Sequence, residues 1–176
     1  MPRKPPRYDL PNAAPEPLRA VQKFVNTINL EQVDEEWLVA WLEEQGVTPG
    51  PAELDRARVV REGLRELLYA NNGFEPAGDP GGVLADAADR ADFSVDFSTP
   101  ALVPREAGLD GALGKVLAVV HTAMADGSWS RLKACRNHGC RWAFYDLSKN
   151  RSATWCSMQL CGNRRKLRAY RERRAA

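Results

Sequence analysis

Four cysteines in one polar stretch are the residues of this sequence best placed to do chemistry. Cys135-Arg-Asn-His-Gly-Cys140 and Cys156-Ser-Met-Gln-Leu-Cys161 form two pairs, each enclosing four residues, and together they hold every cysteine of the 176-residue chain. Thiols at this spacing on two short knuckles are the usual donors for a closed tetrahedral shell around Zn²⁺, a d¹⁰ ion that imposes no other geometry. The spacing therefore predicts one structural Zn(2+) per chain, held by Cys135, Cys140, Cys156 and Cys161. Two disulfides would need an oxidising compartment, and the opening Met1-Pro-Arg-Lys-Pro-Pro-Arg has no apolar core of the signal-peptide kind. A cytoplasmic protein is expected. A redox role for the thiols stays open beside zinc, because Lys133, Arg136 and Arg141 favour thiolates. His138, inside the first knuckle, reads as an exposed loop histidine once four thiolates are available.

The residues around the second pair are more specific. Asp146-Leu-Ser-Lys-Asn-Arg-Ser152 leads into Trp155-Cys-Ser-Met158, and Cys161-Gly-Asn-Arg164 follows. Over residues 132–173 this resembles the CGNR zinc-finger family, in which a D-x-S-x-N-R-S segment precedes a W-C-S-M…C-G-N-R signature. The resemblance implies that the four cysteines bind zinc. Members of that family usually carry an N-terminal ABATE domain, described as a stress-induced transcription regulator. Here Phe24-Val-Asn-Thr27, the Trp-Leu pattern of residues 37–42 and the domain order carry that part of the likeness. It implies a structural or ligand-contacting role for Asn26 and, by analogy, a small-molecule effector of the N-terminal domain.

Charge divides the chain as sharply as the cysteines do. From Arg131 onward there are thirteen Lys and Arg against Asp146 and Glu172, a local net of +11, whereas the first 130 residues carry 12 basic and 21 acidic groups, a net of −9. Such asymmetry speaks of partners, not fold, and a basic zinc module is most simply a reader of phosphate backbones. The bland counterpart is that the basic end docks on the acidic part of its own chain.

Hydrophobic periodicity then supplies the elements that position this module. Residues 1–16, with Pro2, Pro5, Pro6, Pro11 and Pro15, are expected to be an extended or disordered lead. Residues 17–127 read as an ABATE-like helical domain. Leu18, Val21, Phe24, Val25 and Ile28 make one apolar face, with Asn26 and Thr27 off it. Trp37, Leu38, Trp41 and Leu42 make a second, after Asp34 as cap and before Gly46, and both tryptophans read as core. The longest helix runs over 52–72, and its Arg56, Arg58, Arg61 and Arg65, alternating with Glu62 and Glu66, read as a solvated, salt-bridged face. Asp79-Pro80 opens a shorter helix. Phe93, Val95 and Phe97 alternate like a strand whose hairpin partner is 101–103. A last helix over 109–125 points Leu113, Val116, Leu117, Val120 and Met124 inward, with His121 read as structural. This domain is expected to fold without the zinc module.

Residues 128–176 are the CGNR-type finger. Trp142, Phe144 and Leu147 are expected to give it a small apolar core, and the tail after Cys161 reads as a basic helix with Arg164, Arg168 and Arg171 on one face. The fold class is mainly α with a small β-hairpin: a helical N-terminal domain plus a small C-terminal four-cysteine zinc-finger module ending in a basic helix. No phosphate-cradling glycine loop and no Ser-His-Asp set is present, so enzyme activity is not expected. No apolar run is long enough to span a bilayer. The function expected is DNA-binding transcription regulation, with duplex DNA contacted by Arg164, Arg165, Lys166, Arg168, Arg171, Arg151 and Lys149. An RNA-binding or ribosome-associated module and a protein-interaction adaptor are the competing readings. Exposure of Trp142, Phe144 and Tyr145, as stacking rings, separates the first of these from duplex binding.

Overall fold

A computed structural model describes residues 12–28, 35–99, 101–137 and 139–163. Among these residues five α-helices and two small hairpins follow one another: α1 Leu18–Val25, α2 Glu36–Glu44, α3 Pro51–Ala70, α4 Pro80–Ala91, β1 Phe93–Asp96, β2 Ala101–Pro104, α5 Gly108–Ala125, β3 Leu132–Ala134 and β4 Ala143–Tyr145. The fold is mainly helical, as periodicity predicts. Of the predicted lead 1–16, residues 1–11 lie outside the described residues. Asn12 and Ala14 are bonded into the molecule: the Tyr145 N–H donates to Asn12 O at 2.9 Å, and the Ala14 N–H to Gln22 Oε1 at 2.7 Å.

Local chemistry explains the boundaries. α3 starts at Pro51, where a missing N–H costs nothing, and Glu53 Oε2 accepts from the Gly50 N–H at 2.8 Å. α4 starts at Pro80 under a cap from Asp79, whose Oδ1 accepts from the Gly82 N–H at 2.9 Å. Gly46, at φ +79°, lets α2 end in a left-handed turn. The cap expected from Asp34 lies outside the described residues. α1 is shorter than its apolar stripe predicts. It stops at Val25, with Asn26 as its cap, so Ile28 is past the helix and only half-buried.

α5 packs against α4, α1 and β2, while α3 packs against α4 and β3. Gly114 lets α5 come so close to its neighbours that an added Cβ would sit 2.7 Å from both Ala91 Cβ and Pro104 Cβ. Trp41 is buried with its ring centroid 4.5 Å from that of Phe24, as the core reading expects. On α5 the outcome is mixed. Ala123 is buried, but Met124 and His121 are exposed, so His121 has no structural role in the core. β1 and β2 pair antiparallel with Val95 opposite Leu102, while Phe97 lies beyond the strand and is exposed.

β3 and β4 pair antiparallel, Leu132 with Tyr145 and Ala134 with Ala143, and form a wall between two apolar clusters. Leu132, Ala134, Ala143 and Tyr145 join the helical core, whereas Trp142 and Phe144 join the four cysteines. That division is the period-two alternation of a strand. The sequence boundary at 127/128 is therefore crossed by a continuous core, and the helical domain keeps some of its apolar surface covered with residues of the finger. Leu147 is exposed and adds nothing to the small core expected of it.

The candidate metal centre and its supports

The four cysteine sulfurs lie within 4.8 Å of one another, all buried and none in a disulfide. Cys140 Sγ is 3.6 Å from Cys156 Sγ, which is 3.7 Å from Cys161 Sγ. A tetrahedral shell with Zn–S near 2.3 Å has S···S edges of about 3.8 Å, which the two edges at Cys156 match and which all four sulfurs are close enough to form. A disulfide would need sulfurs at about 2.05 Å. N–H groups surround the cage as well: those of Asn137 and Cys156 point at Cys135 Sγ, that of Trp142 at Cys140 Sγ, and Asn137 Nδ2 donates to Cys161 Sγ at 3.7 Å. Such donors stabilise thiolates and fix their direction.

Hydrogen bonds inside the cage set the thiols apart from one another. Hydrogen bonds from Cys135 and then Cys156 hold the Cys140 thiol down to about 2, while the bond to Cys140 pushes Cys135 up to about 12. Bonds to Cys135 and Cys140, with burial, push Cys156 up as well. A thiolate at Cys140 is thus favoured, and one at Cys135 or Cys156 beside it is opposed. Four thiolates together need a dication at the centre. Cys135, Cys140, Cys156 and Cys161 are thus the ligands of one structural zinc, which leaves no open position and supplies cross-linking of the two knuckles.

The knuckles are positioned by groups from the helical part. Asn72, at the end of α3, donates through Nδ2 to Ala134 O at 2.7 Å and Thr154 O at 3.0 Å, one just before Cys135 and the other two residues before Cys156. Asn71 Nδ2 donates to the carbonyls of Trp129 and Leu132 at 2.9 Å each. Asn26 faces β4 as an extra strand residue would: its Nδ2 donates to Ala143 O at 2.9 Å and its Oδ1 accepts from the Ala143 N–H at 2.8 Å. This is the structural alternative of the two roles expected for Asn26.

Two arginines of α3 correct the expectation of a solvated face. Arg61 is 2% exposed and Arg65 0%. Arg65 donates to Val25 O at 2.6 Å and to Arg141 O at 2.5 Å, directly after the ligand Cys140, and to Glu62 at 3.0 Å. Arg61 donates to Thr27 O at 2.7 Å and Glu35 Oε2 at 2.8 Å. Helix ends and knuckles expose carbonyls with no regular partner, and a buried guanidinium fork can satisfy several of them at once. Burial lowers the Arg65 pKa, opposed by Glu62. For Glu62 burial raises the pKa, but Arg65, Arg61 and Arg141 outweigh it and hold the carboxyl below its ordinary value.

Between the knuckles, Asp146 and Lys133 organise loop 147–152. Lys133 Nζ meets Asp146 Oδ2 at 2.7 Å, and both side chains are buried. Asp146 Oδ1 accepts from the Ser148 N–H and hydroxyl at 2.9 and 2.6 Å, an Asx-turn. Burial raises the Asp146 pKa, yet the bonds from Lys133 and Ser148 bring it below its ordinary value. The D-x-S spacing of this turn was visible in the sequence. The contacts of Arg65, Asn71 and Asn72 carry no such local signal, because their partners are distant in the chain.

The remaining expected site residues divide. Lys149 and Arg151 are exposed, whereas Arg164, Arg165, Lys166, Arg168 and Arg171 lie outside the described residues, as does His138. Family comparison agrees with the geometry. The model of the ABATE domain, "Putative stress-induced transcription regulator", matches residues 18–127, well over half of the chain. The chain belongs to the ABATE family. The CGNR zinc finger matches residues 131–174 and covers all four ligands. Among curated proteins none matches the chain. In this ABATE protein the helical domain and the finger meet at the β3–β4 wall. Among the described residues, no helix is long and apolar enough to cross a membrane.

Proposed function

We propose that this ABATE–CGNR protein is a transcription regulator of the stress-response type that binds duplex DNA through its zinc module and acts in the cytoplasm. The observation that carries the reading is the placement of charge: seven Lys and Arg lie between residues 164 and 174, immediately after the zinc-anchored turn Met158–Gly162. A rigid anchor followed by dense cations is suited to a polyanion, because phosphate contacts dominate affinity and fix register. Burial of Trp142, Phe144 and Tyr145 supports duplex DNA over single-stranded RNA, whose bases are held by exposed rings. The helical domain is the sensing part of the same reading, and an apolar groove of about 490 Å³ between β2 and α5, lined by Leu102, Pro104 and Val119 among others, offers an effector a place.

Replacing Arg164, Arg168 and Arg171 together with glutamine tests the DNA reading. Binding by the parent should weaken steeply with salt, with a log–log slope of about −0.9 per phosphate contact, and the triple variant should bind all sequences more weakly with a flatter slope. Zinc content and melting should stay as in the parent. Equal binding by the two proteins over a range of salt would transfer the tail to a docking role on the acidic domain. Unchanged melting across a metabolite panel would remove the effector.

A further inference from the structure

The six described cations of the finger fall into two groups. Lys133 is buried against Asp146, Arg141 pairs with Glu62, Arg136 stacks over Phe74 at 5.1 Å, and Arg131 donates to carbonyls. Lys149 and Arg151 are exposed on loop 147–152 and, among the described residues, have neither an acidic nor an aromatic partner, whereas Arg136, also exposed, lies against Phe74. Arg151 touches Ser130 Oγ at 3.3 Å through one nitrogen, which leaves most of its five donors to solvent.

The loop beneath them is held in shape by side-chain bonds to its backbone, at both ends and at two of its own carbonyls. Arg131 Nη1 takes Asp146 O at 2.9 Å and Ser148 O at 3.1 Å, and Lys133 Nζ takes Arg151 O at 2.6 Å and Ala153 O at 3.3 Å. Asp146 Oδ2 accepts from the Ala153 N–H at 3.0 Å, and Ser148 Oγ from the Ser152 N–H at 3.0 Å. The oxygens of Ser148 and Arg151, and those of Asp146 and Ala153 at the loop's two ends, are thus engaged with Arg131 and Lys133. Arg151 itself is held at φ +52°, a left-handed conformation that a non-glycine residue adopts only where its surroundings impose it. Leu147, 67% exposed, lies on the same loop without any apolar partner role in the finger's core. An immobilised loop carrying an exposed Leu and two exposed cations at alternate positions has the chemistry of a groove-contacting wedge flanked by phosphate contacts.

We infer that loop 147–152 is a duplex-DNA contact element, with Lys149 and Arg151 on backbone phosphates and Leu147 as the apolar side chain that enters the groove. The inference rests on the DNA-binding reading above and deepens it: Lys149 and Arg151, expected as contacts from their charge, become with Leu147 one contact element distinct from the tail. Full-length zinc-loaded protein is titrated with a fluorescent mixed-sequence duplex over a range of salt. Lys149→Gln with Arg151→Asn, asparagine being tolerant of left-handed backbone, should reduce the magnitude of the salt slope by about 1.8, two contacts at about 0.9 each. Leu147→Ala should leave the slope unchanged and weaken binding by roughly tenfold, from lost apolar contact alone. Zinc content and melting report folding, and if the double variant misfolds, Lys149→Gln alone should still remove about 0.9 from the slope.

A loop variant that keeps the parent slope and affinity while the tail variant loses both overturns this inference and leaves the DNA reading standing. A parent that binds no duplex overturns both. Preference of the parent for single-stranded RNA over the duplex, with the loop variants affecting RNA alone, also overturns the inference.

Discussion

α3 and loop 147–152 both carry cations on polar sequence, and they use them in opposite ways. In α3 the guanidinium groups of Arg61 and Arg65 turn into the molecule and hold the carbonyls of Thr27, Val25 and Arg141. In the loop the carbonyls of Arg151 and Ser148 meet Lys133 and Arg131, and the side chains of Lys149 and Arg151 are left outside. A buried cation joins segments that have no regular pairing of their own. An exposed cation above a fixed backbone is available to an anion from outside. Counting charges along the chain does not separate these cases, because the difference lies in which carbonyls the fold leaves without partners.

Both regions lean on the zinc, and its loss should have the greatest consequence. Structural zinc in small modules contributes apparent binding free energies of roughly 10 kcal/mol or more, comparable with the whole net stability of a domain. Metal analysis should give one equivalent per chain. Cys156→Ser or chelation should unfold the finger, and the helical domain should lose stability with it, since Leu132, Ala134, Ala143 and Tyr145 are part of its core. Truncation after Gly127 should act in the same direction, giving a fragment that melts well below the full chain. A fragment that melts with the parent would show that the β3–β4 wall is dispensable to the helices.

Next in size is Arg65. Arg65→Met strands Val25 O, Arg141 O and part of Glu62 in the interior, which should cost about 3–5 kcal/mol in urea unfolding. Arg65→Lys should restore little, because one ammonium cannot reproduce a fork spanning two carbonyls and a carboxylate. Asn26→Ala should follow, at about 1–3 kcal/mol, from leaving the Ala143 N–H unpaired inside the protein and its carbonyl with Gln22 Nε2 alone, at 3.2 Å. If either variant is as stable as the parent, the side chain is not what ties the knuckle to the helices.

Glu62 adds a dependence on pH. Its folded pKa lies below the ordinary 4.5, burial being outweighed by Arg65, Arg61 and Arg141. The carboxylate therefore contributes fully above pH 4.5, and its contribution is lost as pH falls through the lower folded value. Glu62→Gln should cost about 2 kcal/mol at neutral pH and progressively less below pH 4.5, read as the difference from the parent in parallel urea titrations. A constant difference down to strong acid would mean that glutamine's shape, not the lost charge, sets the effect.

Helices, the first hairpin and the cysteine cage were legible in the sequence because each is written locally: apolar residues at helical spacing, Asp79-Pro80 as a cap, two Cys-x4-Cys pairs. What escaped was relational. Arg65 looks like any helical arginine until Val25 and Arg141 are brought to it, 40 and 76 residues away in the chain. Asn72 reads as a helix stop, and only the folded chain sets it between Ala134 and Thr154. Leu147 failed as a core residue because the strand alternation had ended at Tyr145, where the Asp146 turn redirects the backbone.

Each region also has a cation in solvent, and replacing either one should change little in stability. Arg58 lies on the outer side of α3 beside Asp55, its side chain 48% exposed, and Lys149 is exposed on the loop. Glutamine at either position removes one positive charge from solvent, so each change should alter stability by no more than about 0.5 kcal/mol. If net charge alone drew the protein to DNA, the two variants would weaken binding alike. If position decides, Lys149→Gln should flatten the salt slope by about 0.9, and Arg58→Gln should leave it unaltered, because only the first removes a contact that releases counterions. Duplex titrations of the two variants over the same salt series make this comparison at constant charge, and equal slopes would show that the loop is no better placed than the helix.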